Sequence, residues 1–74
     1  MLTSEGDPIE VELVFADVPW LKKSLRERHW HKTQAFFELP DGRLRMTFRV
    51  RSMAGVWPWI RGYGDLVEVV RPVS

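Results

Sequence analysis

Five arginines are the residues best suited to chemistry. Arg26 and Arg28 close a basic stretch, and Arg45, Arg49 and Arg51 stud a later apolar run. A guanidinium meets a phosphate or carboxylate through two parallel N–H bonds, so arginines gathered on one surface can hold an anion or a nucleic-acid backbone. The formal net charge is only +1, but the charges are unevenly placed. Residues 1–17 carry five acids and no base, residues 21–32 carry five bases against Glu27, and residues 43–51 carry four arginines and no acid. A near-neutral total therefore hides a basic stripe. A plainer reading stands beside it: a solvated helix face and a salt-bridged strand surface, with Arg26 and Arg28 serving the negative end of a helix dipole.

Other chemistries find little support. His29 and His31 flank Trp30 and would share one face of a strand, but no third ligand stands at metal-site spacing. The four serines lack a nucleophile setting. Gly62-Tyr63-Gly64 is a lone fragment better read as a helix stop than as a phosphate loop. The expectation is a protein that is not an enzyme and needs no cofactor or metal.

Aromatic rings are the second resource. Trp57 and Trp59 lie about 200° apart on a helix, so they cannot both face a core. Trp59 and Tyr63 share one side at i, i+4 and are expected inside. Trp57 is left over, and an unburied ring of that size marks a partner surface. Packing over Pro58 is its structural alternative.

The elements that must position these residues follow from patterning. The chain has 74 residues, 45% of them hydrophobic, 28% charged, and no cysteine. That is one small domain without disulfides, burying roughly 60% of its unfolded surface and stable by a few kcal/mol. No apolar run approaches the ~20 residues of a membrane span, and the polar, acidic opening is no signal peptide. A cytoplasmic location is expected, with no membrane association. Residues 1–8 read as a linker or leader, and 9–74 as the domain.

Ile9 to Phe15 alternates as a half-buried strand. Asp17 can cap a helix over about 18–28, with Pro19 in its first turn and Val18, Leu21 and Leu25 inward. Thr33–Leu39 and Arg43–Arg51 form a hairpin about Asp41-Gly42. With those two residues as the loop, Leu39 faces Leu44, Phe37 faces Met46 and Ala35 faces Phe48. The other face then pairs Glu38 with Arg45 and Gln34 with Arg49. Ser52 can cap a second helix over about 53–62, in which Pro58 forces a kink or a late start. Leu66 to Val70 is the last strand, ended by Pro72.

The order strand, helix, strand, strand, helix, strand predicts an α+β, ferredoxin-like βαββαβ sandwich. Its four-stranded antiparallel sheet carries two helices on one face. The open face would be mostly charged, with Phe36 its apolar exception and so a second candidate for an interaction surface. RNA-recognition domains share this topology but stack bases on aromatics of the central strands. Here Arg45, Thr47 and Arg49 occupy those outward positions, which argues against that mode.

Three blocks together resemble a known family: Arg28-His29-Trp30-His31-Lys32-Thr33-Gln34, then Leu39-Pro40-Asp41-Gly42-Arg43-Leu44, then Trp59-Ile60-Arg61-Gly62-Tyr63-Gly64-Asp65-Leu66-Val67-Glu68-Val69-Val70-Arg71-Pro72. In order and spacing they are similar to the C-terminal extension (WCX) domain of WYL-domain transcriptional regulators. Lys32 replaces a usual proline, and Pro58 before Trp59 is unusual. The resemblance implies a bacterial regulator whose parent chain carries a helix-turn-helix and a WYL domain, and which forms a homodimer. It implies effector sensing, with short single-stranded nucleic acid bound between WYL and extension in some members. It points to Arg28, which matches the family arginine, and to Arg26 and His31 beside it. Strand parity adds Arg45, Arg49 and Arg51. The alternatives are a dimerisation module that binds no ligand, and a small-metabolite sensor.

Overall fold

A computed structural model describes residues 8–72. The expected leader lies outside them except for Pro8. Strands β1 (Ile9–Phe15), β2 (Ala35–Glu38), β3 (Leu44–Val50) and β4 (Val67–Arg71) form one antiparallel sheet in the order β2-β3-β1-β4. Helices α1 (Pro19–Glu27) and α2 (Val56–Arg61) supply Leu21, Leu25 and Ile60 to a core with Val11, Leu13, Phe15, Leu44, Met46 and Phe48. Those strand residues alternate, so both helices cover the same sheet face and the ferredoxin-like arrangement is realised.

The first helix departs from expectation at its start. Val18, not Asp17, is the N-cap, and no side chain caps the helix. The Asp17 carboxylate instead binds Lys22 Nζ at 2.6 Å. Pro19 needs no N–H in the first turn, so its position costs nothing there.

The hairpin departs by one residue, and the consequence is large. Gly42 N–H donates to Leu39 O at 2.9 Å, and Leu39 N–H to Arg43 O at 2.9 Å. The loop is thus three residues, Pro40-Asp41-Gly42, not two. Pro40 supplies the fixed φ of a turn's second position, and Gly42 takes the left-handed conformation, φ 94°, that closes such a loop. An added Cβ at Gly42 would also run into the Asp17 carboxylate. The odd loop length shifts the register, so Phe36 lies opposite Met46 and Phe37 opposite Arg45. A one-residue slip exchanges the faces of a strand. Phe36 therefore packs against the core rather than on the open face, and Phe37 is the exposed ring. Glu38 likewise turns to α1, where it meets Arg26 at 2.9 Å, not Arg45.

The second helix starts late, one of the two outcomes that Pro58 allows. Ser52 Oγ accepts the Ala54 N–H at 3.2 Å in a turn before the helix, and Gly55 is the N-cap. Pro58 then falls in the first turn, where backbone N–H groups have no helical acceptor. After α2, Gly64 at φ 57° opens a 3-10 turn (Gly64–Leu66) that leads into β4. The β1–β4 ladder carries an irregularity: Leu13 pairs with Val69 but Glu12 with Arg71, leaving Val70 as the extra residue of a bulge.

Candidate functional site: an aromatic end with a basic margin

Trp59 is the hub of an aromatic cluster. Its ring centroid lies 5.1 Å from that of Trp30, 5.4 Å from Tyr63, 6.2 Å from Phe48 and 6.4 Å from Phe15. Three of these contacts are edge-on, the geometry that ring quadrupoles favour. Tyr63 also meets Phe15 edge-on at 5.3 Å. Burial raises the Tyr63 phenol above its ordinary value of 10.0. Trp59 in α2 and Tyr63, two residues past its end, are thus the inner rings, as the spacing predicts. Trp57 is not left in solvent: it is half-buried and packs against the core from another side. The exposed tryptophan is Trp20 on α1, at 66%.

The segment between α1 and β2 holds Trp30 and His31 in place. Gln34 Oε1 accepts the backbone N–H of both, and Gln34 Nε2 donates to Arg28 O at 3.1 Å. Trp30 Nε1 donates to Leu25 O at 3.1 Å, closing the end of α1. Thr33 fastens the segment to β3, its Oγ1 accepting Arg49 N–H at 2.9 Å. His31 Nδ1 lies 3.2 Å from the Thr33 backbone N–H, which it accepts, and 2.8 Å from the Thr33 Oγ1. Strand patterning puts Gln34 on a sheet surface facing Arg49 and misses this organising role. Its only signal in the sequence is a polar amide closing a loop with an aromatic residue in it.

Two depressions share this end of the sandwich. One, of about 250 Å³, is lined by Trp30, His31, Phe48, Val50, Gly55, Val56 and Trp59. The other, of about 460 Å³, is lined by Pro8, His31, Lys32, Thr33, Arg49, Val50 and Arg51. They have His31 and Val50 in common, and among the described residues no acid lines either. The first is almost wholly apolar; the second carries three cationic side chains.

The candidate arginines divide accordingly. Arg49 and Arg51 lie with His31 at the basic depression, and Arg28 stands 5.5 Å above the Trp30 ring. Arg26 and Arg45 lie elsewhere, each committed to an acid. Arg26 holds Glu38. Arg45 Nε lies 2.9 Å from Glu12, an ion pair without hydrogen-bond alignment, and its guanidinium stacks 5.1 Å from the Phe37 ring. On the open face Glu12 is shared with Arg71 at 3.6 Å, and Arg71 reaches Glu10 at 3.9 Å. Parity places Arg45 and Arg49 on one surface, but the charges beside them differ.

The fold and this end define a small α+β domain built around a ring cluster with a cationic margin. No helix among the described residues is long and apolar enough to cross a membrane. The family model of the WCX domain matches residues 7–74. The chain belongs to the WCX domain family, the regulatory C-terminal domain of WYL regulators. A comparison with curated proteins gives no significant sequence match.

Proposed function

We propose that this domain contributes to effector sensing in a bacterial, cytoplasmic WYL-type transcription regulator, and that the sensed ligand is an anion, short single-stranded nucleic acid being the leading candidate. The observation that carries the reading is the placement of Arg28, His31 and Arg49 about an exposed aromatic depression, while Arg26 and Arg45 are tied to acids. Rings and cations at one margin are the combination that binds single strands, the bases stacking and the phosphates pairing. Its partners in this reading are the WYL and helix-turn-helix domains of the parent chain. Operator recognition would belong to the latter, and catalysis plays no part.

The test is a titration of labelled oligonucleotide into the chain joined to its WYL domain, at two salt concentrations. Replacing Arg28 and Arg49 by alanine should weaken binding and reduce the salt slope by roughly one for each phosphate that is no longer neutralised. Arg26→Ala and Arg45→Ala should change neither. Equal effects from both pairs, or none from either, would sink the nucleic-acid reading.

Homodimerisation of the parent regulator is the second part of the proposal, and it also stands as the alternative if no ligand binds. Trp20 supports it, being the most exposed large ring among the described residues. Sedimentation of the parent regulator should show a dimer weakened by Trp20→Ala and unaffected by Trp57→Ala. An unchanged mass for the Trp20 variant counts against a contact there.

A further inference from the structure

We propose that the aromatic depression beside α2 is a binding site for one flat ring carrying an anionic group. The ring would be seated against Trp59 and Val56, and the anion held by Lys32 and Arg49 next door. The inference deepens the effector-sensing reading and rests on it, but it concerns a particular cavity and a particular chemistry.

Three observations carry it. The first is size and lining. A cavity of about 250 Å³ falls just below the roughly 300–1,000 Å³ of drug-sized sites, so it takes a single ring system rather than an extended molecule. Its walls are Trp30, Phe48, Val50, Val56 and Trp59, with His31 the one ionisable side chain at the edge. Such a surface rewards an apolar, planar guest.

The second is Gly55. Its backbone is ordinary right-handed helical, φ −85° and ψ −15°, which any residue adopts. A Cβ built there meets nothing within 4 Å. As an N-cap, glycine ranks with threonine and well above alanine or leucine. Neither conformation nor packing demands a glycine, and Gly55 is one of the residues that line the depression. Gly42 offers the contrast, since its φ of 94° strains any other residue and a Cβ there would push the Asp17 carboxylate aside.

The third is charge. The adjoining depression shares His31 and Val50 with the first and adds Lys32 and Arg49. Neither cation forms an ion pair among the described residues. Glu10 lies opposite Arg49 across the β1–β3 ladder and lines a neighbouring depression with it, but the two form no ion pair; the Glu10 carboxylate lies 3.9 Å from Arg71. A guest spanning both depressions is therefore apolar at one end and anionic at the other. A free aromatic phosphate or carboxylate has that form, and so does one nucleotide of a single strand.

The experiment follows the indole N–H resonances of this chain by NMR during titrations. Trp30 and Trp59 line the cavity; Trp20 and Trp57 do not and serve as internal controls. Phenyl phosphate should move the Trp30 and Trp59 signals saturably. It should bind at least about tenfold more tightly than phenol, which lacks the anion, or inorganic phosphate, which lacks the ring. Gly55→Leu should abolish the ring-dependent shifts while circular dichroism stays that of the parent. Lys32→Ala combined with Arg49→Ala should bring phenyl phosphate down to the level of phenol. Deoxyadenosine monophosphate binding tenfold more tightly than phenyl phosphate identifies the nucleotide as the source of the chemistry; equal affinities identify a small aromatic anion.

Unselective shifts of all four indoles, equal binding of phenol and phenyl phosphate, or undiminished binding by the Gly55 variant would each overturn the site. Oligonucleotide binding that is indifferent to Gly55→Leu overturns the site but leaves the nucleic-acid reading standing. Phenyl phosphate binding without oligonucleotide binding does the reverse.

Discussion

The two ends of the sandwich use the same kinds of residue to opposite effect. At the hairpin end Lys22 and Arg43 each have an acid or carbonyl to hold. Lys22 Nζ joins Asp17 at 2.6 Å and Gly42 O at 2.8 Å, and Arg43 spans Asp41 at 2.7 Å and Glu68 at 3.7 Å. Asp41 accepts the Arg43 backbone N–H and then its guanidinium, which together hold its carboxyl below the ordinary 3.8. At the aromatic end Lys32 and Arg49 line a depression without an acid among the described residues, and Arg28 rests on a ring. A count of arginines therefore says nothing about a binding surface until the acids beside them are placed. Charge consumed in closing a turn is not on offer to a ligand.

Mutations at each end probe this division of labour. The largest loss is expected for Trp59→Ala, which removes the hub of the aromatic end. About 3 kcal/mol is the scale for such a truncation, most of what a domain this small has to lose. Thermal denaturation followed by circular dichroism should show little or no folded state at 37 °C. Gly42→Ala tests the hairpin end. A left-handed φ and a clash with Asp17 should cost about 1–2 kcal/mol, and cross-strand amide contacts should show whether the Phe36–Met46 pairing survives. Gln34→Ala should cost about 1 kcal/mol, and its signature is local: faster amide exchange at Trp30 and His31, with β3 protected as before.

Two smaller effects separate the ends further. Burial raises the Tyr63 phenol, so the ionised ring is disfavoured in the folded state. Its contribution is fully present below pH 10 and is lost as pH rises through the folded value. A phenolate absorbance titration should give a midpoint above 10, returning to the ordinary value in denaturant. Arg43→Ala, at an exposed cluster, should change stability by less than about 0.5 kcal/mol and leave ligand binding at the other end untouched.

Much of the fold is legible in the sequence because it rests on periodicity. Ile9 to Phe15 alternates, and Leu21 and Leu25 repeat at helical spacing, as do Trp59 and Tyr63. These patterns are enforced by burial, and burial dominates the energetics. What escaped depends on single residues of loop. Asp41-Gly42 reads as a two-residue turn, but Pro40 before it favours the three-residue form, and that one residue moves Phe36 inward and Phe37 outward. Asp17 suits a cap, yet an ammonium within reach wins its carboxylate. At the site, the arginines are visible in the sequence, but which of them lie beside Glu12 or Glu38 is decided by register. Gly55 is invisible as a feature until the space around it is known.

The bulge at Val70 has a consequence for assembly. An exposed strand edge invites another strand to join it, and a bulge is one of the devices that make an edge irregular and unreceptive. β4 forms one margin of the sheet, and it is also closed by Pro72, which has no N–H to offer. β2 forms the other margin, short but regular. A subunit or neighbouring domain that extends the sheet meets a ladder it can continue only on the β2 side, next to Phe37. On the β4 side, contact has to be made through side chains.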